Sequence, residues 1–150
     1  MLKDLTSEKL IRLNIHARDW QDAIRQAAQP LVDHNKISIS YVEDIIAGVI
    51  ENGPYIVITK HVALPHARAE AGAKENAIGI ATLSQPVAFG NEANDPVKYL
   101  FCLSATDNSR HLSALAELAN LFEDKEFFKL LDTTKNKKDI IQYIKDKEEQ

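Results

Sequence analysis

The sequence predicts an α/β fold: a single domain over residues 1–150, with a mixed parallel and antiparallel sheet of about five strands flanked by helices on both faces. Two observations carry the prediction. Short apolar segments of strand length, at 10–15, 55–59, 77–83, 87–89 and 97–103, are interleaved with longer stretches whose apolar residues recur at helical spacing. A chain of 150 residues that is 45% hydrophobic and 27% charged is also long enough to bury one such core and short for two.

Taken in order, Leu10–Ile15 alternates apolar and polar residues, as a half-buried strand does. Asp19 offers an N-cap to a helix with Trp20, Ile24, Ala27, Ala28, Leu31 and Val32 along one side, and Pro30 predicts a kink or break within it. His34-Asn35 closes that segment. Ser40 and Glu43 have the spacing of a capping box for a second helix, with Val42, Ile45, Ile46 and Val49 facing inward. Asn52-Gly53 stops it and Pro54 prevents its continuation, so Tyr55–Thr59 is expected to run as a strand straight towards Pro65-His66.

Residues 69–76 are small and polar and suit a surface loop. Ala77–Leu83 reads as a buried strand in which Gly79 admits a close backbone neighbour. Gln85-Pro86 is expected to end it, Val87–Phe89 to form a short edge strand, and Val97–Leu103 to be the next strong strand. Ser104–Arg110 carries turn and cap residues ahead of a helix over 110–122 with the stripe Leu112, Leu115, Leu118, Ala119 and Phe122. Two more amphipathic helices are expected at 124–131 and 136–147.

Composition narrows the function. The net charge of −4 arises from mixed signs, which argues against a nucleic-acid binder and fits a basic protein partner. Cys102 is the single cysteine and lies in an apolar run, so a disulfide framework and a thiolate metal cluster are excluded. No apolar run approaches bilayer length and the N-terminus lacks a signal-peptide core, so the expected location is cytoplasmic, without membrane insertion. Neither glycine-rich phosphate motif is present, and no cofactor is called for.

The stretch that carries chemistry is 53–68, GPYIVITKHVALPHAR, which ends on a stiff Pro65-His66. Pro65 has a locked φ and pushes Leu64 towards extended geometry, so His66 stands on a fixed support. Imidazole is a neutral nucleophile near neutral pH once one nitrogen is held by a hydrogen bond. Alone, a Pro-His dipeptide also reads as an ordinary loop histidine. His111 opens a helix that follows a strand end, where unsatisfied N–H groups favour phosphate; alone, it too reads as a solvated surface residue. His61 and His66 lack the third and fourth ligands that a zinc site needs, so no metal is expected. His16 and His34 read as surface residues.

Resemblance adds to this. The run Val62-Ala-Leu-Pro-His-Ala67 resembles the active-site motif of the fructose- and mannitol-type enzyme IIA domains (EIIA type 2) of the bacterial phosphoenolpyruvate-dependent sugar phosphotransferase system (PTS). The fuller stretch GPYIVITKHVALPHARAE, residues 53–70, resembles the L-ascorbate branch most closely, and the similarity covers nearly the whole chain. It implies a phosphotransferase working through a phosphohistidine on His66. His111-Leu-Ser-Ala-Leu115 is similar to the family's H-L-S-x-L motif, which implies that His111 faces His66 and donates a hydrogen bond to the phosphoryl oxygens.

The chain departs from the mannitol type in having Val49-Ile50-Glu51 where an arginine is carried on the helix before the motif. Arg68 is the candidate to supply a guanidinium to phosphate instead, and Thr59, where the motif has a small residue, is a second phosphate-binding candidate through its hydroxyl. An exposed, shallow site with neutral N–H donors is expected, with Leu64, Ala67 and the 69–73 loop as its apolar rim.

The partners implied by the resemblance are phospho-HPr as donor and an enzyme IIB as acceptor, on cysteine in the ascorbate branch, with a membrane IIC protein coupled indirectly. Whether the chain forms a homodimer stays open. Two other readings stand beside this one: a regulatory, nitrogen-type IIA module that acts by phosphorylation-dependent protein binding, and an α/β interaction domain with inert histidines.

Overall fold

In the computed structural model, which describes residues 1–150, the chain runs through α1 (Leu2–Leu5), β1 (Ile11–Ile15), α2 (Trp20–Asp33), α3 (Ile39–Asn52), β2 (Val57–Thr59), β3 (Val62–Ala63), β4 (Ala77–Val87), β5 (Val97–Ser104), α4 (Asn108–Phe122), α5 (Lys125–Thr133) and α6 (Lys137–Glu148). The strands form one sheet in the order β1-β4-β5-β3-β2. β1 with β4 and β3 with β5 are parallel; β4 with β5 and β2 with β3 are antiparallel. The mixed five-stranded sheet is therefore as the sequence predicts.

Its central strands are buried on both sides, which is why they read as continuous apolar runs. Side chains alternate between two cores with the period of two that a strand imposes. Ala77, Ala81 and Leu83 of β4 and Leu100 and Cys102 of β5 pack with α2 and α3 on one face. Ile78, Ile80, Tyr99, Phe101 and Leu103 pack with α4, α5 and α6 on the other. α2 lies so close to β4 that a Cβ on Gly79 would stand 2.3 Å from Leu31 Cδ1 and 3.3 Å from the Leu10 carbonyl oxygen. Burial raises the Cys102 thiol to about 12, so it stays an inert thiol. No helix is long and apolar enough to cross a membrane.

Several local expectations are overturned, most of them by a tertiary partner. α2 runs unbroken through Pro30 to Asp33. Proline leaves the Gln26 carbonyl without its helical N–H donor, and Arg12, on β1, donates Nη1–H to that oxygen at 3.2 Å. Asp19 caps α2 as predicted, accepting the Asp22 N–H at 2.8 Å. The cap of α3, however, is Ser38 and not Ser40. The Ser40 hydroxyl donates to Ala71 O at 2.8 Å and Glu43 pairs with Arg25 of α2, so neighbouring elements take both members of the expected capping box.

The segment leading to His66 is a hairpin and not one strand. β2 ends at Thr59, the chain turns at Lys60-His61 with His61 at φ 68°, and β3 returns antiparallel to it. The turn is held from outside: the His61 N–H donates to Asn94 O at 2.8 Å and its Nδ1 to Pro96 O at 2.7 Å. β4 continues past Gln85-Pro86 to Val87, because Pro86 is exposed where regular pairing with β5 has already lapsed. α4 begins at Asn108 and buries Ala114, Leu118 and Leu121, while Leu112 and Ala119 of the predicted stripe face solvent. The short α1, which buries Leu2 against the second core, has no counterpart in the sequence reading.

Candidate functional site

β3 and β5 are parallel neighbours, so both leave the sheet at the same end. The chain passes from β3 into Leu64-Pro65-His66 and from β5 through Ala105–Asp107 into α4. That topology brings His66 and His111 together: their ring centroids are 5.4 Å apart and their planes inclined by 47°.

The backbone on both sides of His66 is held by hydrogen bonds. Pro65 behind it is buried, the Leu64 N–H donates to Ile56 O at 2.8 Å, and the Leu103 N–H donates to Pro65 O at 2.9 Å. Beyond the ring, the Ala67 N–H donates to the Tyr41 hydroxyl at 3.1 Å. His66 Nδ1 stands 2.7 Å from Leu64 O. A carbonyl only accepts, so Nδ1 carries the proton and Nε2 keeps a bare lone pair.

Across the gap, α4 supplies the second imidazole and a positive helix end. Asp107 caps it, accepting the Arg110 N–H at 2.8 Å, and the His111 N–H closes the first helical bond on Asp107 O. The N–H groups of Asn108 and Ser109 precede any helical acceptor and remain available. Desolvation, and secondly the charge that His66 carries when its ring is protonated, lower the pKa of His111 below the ordinary histidine value, so at neutral pH it is a neutral imidazole with one N–H to donate.

Between these elements lies an open crevice of about 770 Å³, lined by both histidines and by Tyr55, Arg68, Glu70, Asp107 and Asn108, among others. Tyr55 stands edge-on to His66, with centroids 6.0 Å apart and an interplanar angle of 88°. Arg68 is exposed and has no ion-pair partner. A bare ring nitrogen, a facing neutral N–H donor, free helix N–H groups and one guanidinium form a place where an anion of phosphoryl size can be bound and transferred.

Of the four residues singled out in the sequence, the structure gathers His66, His111 and Arg68. Thr59 is not among them: it is exposed on the edge strand β2, opposite Val62, because the hairpin carries it away from the loop. Leu64 is 2% exposed and so is no part of the rim, whereas Ala67 and Ala69 do line the crevice. Val49 is buried, Ile50 and Glu51 are exposed, and none of the three lines the crevice. Tyr55 lies over the neighbouring turn of α3, its hydroxyl 3.0 Å from where a Cβ on Gly48 would stand.

Sequence reasoning missed Tyr55 and Tyr41, and met Asp107 only within the cap segment 104–110. Tyr41 had a signal, since it lies one turn before Ile45 on the inward face of α3. Tyr55 had none, because only the hairpin folds its ring back onto the His66 loop.

Comparison with known proteins identifies the family. The profile of the family described as "Phosphoenolpyruvate-dependent sugar phosphotransferase system, EIIA 2" matches residues 4–147. SgcA of Escherichia coli strain K12, whose name marks it provisionally as a phosphotransferase IIA component, is 39% identical over 126 residues, covering 84% of this chain and 86% of its own. The ascorbate-specific PTS system EIIA component of the same strain is 34% identical over 141 residues, covering 93% and 92%. A solved complex of enzyme IIAMTL with phosphorylated enzyme IIBMTL from Escherichia coli contains a chain of the same fold. It has a TM-score of 0.78 at 21% identity, covering 91% of this chain and 94% of that one. The chain belongs to the EIIA type 2 family of the phosphoenolpyruvate-dependent sugar phosphotransferase system, a family of phosphotransferases.

Proposed function

We propose that the chain is a phosphocarrier in which His66 Nε2 takes a phosphoryl group from phospho-HPr and passes it to a cysteine of an enzyme IIB. The observation that carries this reading is the bond from Nδ1 to Leu64 O, which leaves Nε2 as the one unbonded nitrogen of the His66 ring, on a side chain that lines the crevice. In the first step the P–N bond to the donor histidine breaks as the P–Nε2 bond forms, and the Nδ1 proton stays in its bond to Leu64 O. In the second the P–Nε2 bond breaks, its electron pair returning to Nε2, as the thiolate of the partner's cysteine forms the P–S bond.

Such transfer, through a loose in-line transition state, needs positioning and charge stabilisation more than covalent help. His111 and the first N–H groups of α4 supply neutral donors, and Arg68 supplies one cation. Glu70 and Asp107 line the same crevice, so that cation is balanced and the phosphoryl group is held without being trapped. The partnership with IIB is supported by the Escherichia coli complex of that kind. Both transfers take place in the cytoplasm, with a membrane IIC protein taking up the sugar. We assign L-ascorbate as that sugar, on the ascorbate-specific relative and the context of residues 53–70.

The test is incubation with phosphoenolpyruvate, enzyme I and HPr, followed by addition of IIB. The intact chain is expected to take up acid-labile phosphate and deliver it. His66→Ala is expected to take up none, and His111→Ala to label roughly 100-fold more slowly. Equal labelling of the intact chain and His66→Ala overturns the assignment. Labelling without delivery to IIB points instead to the regulatory, nitrogen-type role.

A further inference from the structure

We infer that Tyr41 is a positioning residue of the phosphotransfer site: its buried hydroxyl is inserted between β5 and the His66 loop and sets where the His66 ring stands. The inference rests on the reading of His66 as the phosphoacceptor.

The register shows what the hydroxyl interrupts. β3 pairs with β5 in parallel, Val62 opposite Tyr99 and Ala63 opposite Leu100, so the same register continued places His66 opposite Leu103. A residue in a parallel ladder bonds the carbonyl before its partner and the N–H after it. Leu103 makes the first of these bonds, its N–H donating to Pro65 O at 2.9 Å. The second, Ala67 N–H to Leu103 O, is not made. In its place the Ala67 N–H donates to the Tyr41 oxygen at 3.1 Å, and the Tyr41 hydroxyl donates to Leu103 O at 2.7 Å. One oxygen atom is thus spliced into the ladder immediately after His66. The sheet stays zipped up to Pro65 and is held open beyond it, which turns the His66 ring out into the crevice, while Leu103 leads within a few residues to the helix that carries His111.

A core-filling role alone does not account for this. Tyr41 is 1% exposed, and phenylalanine would fill the volume without a hydroxyl that needs burial and partners. The hydroxyl has one proton and two lone pairs, and its bonds fall on main-chain groups of the site and nowhere else. Burial keeps it protonated far above neutral pH, so the relay persists under all working conditions. Without the hydroxyl, either Ala67 closes onto Leu103 and draws His66 back towards the sheet, or both groups are left unbonded and the loop loosens. Each displaces the ring, and displacements of about 1 Å cost up to about 100-fold in transfer reactions.

The test compares Tyr41→Phe with Tyr99→Phe, which removes another largely buried hydroxyl, the one bonded to Asp132 away from the crevice. With phospho-HPr as donor, Tyr41→Phe is expected to lower the transfer rate at saturation at least tenfold and to leave the donor KM within about twofold, since Tyr41 touches no partner. Tyr99→Phe, matched for loss of thermal stability, is expected to keep the wild-type rate. Amide exchange on the intact chain gives a second readout that needs no variant: the Ala67 N–H is expected to be protected like the sheet, and that of Arg68 to exchange freely. The inference is overturned if Tyr41→Phe slows transfer no more than Tyr99→Phe does, or if the Ala67 and Arg68 amides exchange alike. Failure of the wild-type chain to label on His66 is a separate result and removes the phosphoacceptor reading itself.

Discussion

At the scale of single residues, chemistry was more legible than conformation. Pro65-His66 announced a stiff support, and the bonds on either side of Pro65 supply it. His111 was placed by its motif, and its neutrality comes from surroundings that no motif states. Desolvation comes first and the His66 charge second in lowering its pKa. In the phosphocarrier reading proposed above, a phosphoryl group on His66 puts a dianion where a protonated His66 ring would be repulsive, so the second cause changes sign. The pKa of His111 is therefore expected to rise on phosphorylation, read by NMR titration of its ring protons in the two forms. The sign for stability follows. In the unphosphorylated chain the unfolded state binds more protons between the depressed pKa and 6.5, so stability falls as pH drops through that window. An unchanged His111 titration would mean that its ring does not face the phosphoryl group.

At the scale of elements, helices were legible where a local cap decided them and obscure where a distant partner did. Asp19, Asp124 and Asn136 cap α2, α5 and α6 from their own sequence positions. The hairpin of β2 and β3 was not legible, because its turn is held by Asn94 and Pro96, far along the chain. Arg12 likewise rescues Pro30 from another element. Asp124 joins the two kinds of information: besides capping α5 it accepts from the Tyr143 hydroxyl at 2.6 Å and from Lys147 Nζ at 2.5 Å, both on α6. Burial alone would raise its carboxyl, but the bonds from Lys147, Tyr143 and the Phe127 N–H outweigh it and hold the pKa at about 2. Asp124→Asn keeps a capping oxygen and loses the ion pair, for an expected loss of about 1–2 kcal/mol at pH 7 in denaturant melts. A depressed carboxylate stabilises above its unfolded pKa and ceases to as pH falls through the folded one. The gap between variant and wild type should accordingly shrink from pH 4 downwards, and a constant gap would show that the charge is not what α6 is held by.

At the scale of the whole molecule, two cores clamp one sheet from opposite sides and leave the shared end of β3 and β5 uncovered, so the site is built before any partner arrives. A partner then has only to find it. Tyr55 and Leu112, 48% and 66% exposed, flank the two histidines in sequence or space and offer apolar contact. The chain as a whole carries a net charge of −4, and its crevice holds Glu70 and Asp107 against Arg68. An acidic field of this kind speeds encounter with a basic donor and is screened by salt, whereas apolar contact is not. Raising the ionic strength from about 0.05 to 0.5 M is thus expected to lower the second-order rate of the proposed phosphoryl transfer from HPr roughly fivefold or more, with the rate at saturating donor unchanged. The two rates separate steering from chemistry, because the His66 ring is fixed by a main-chain bond that salt does not reach. A second-order rate indifferent to salt would assign the encounter to Tyr55 and Leu112, and substitution of either by serine would then slow it where salt does not.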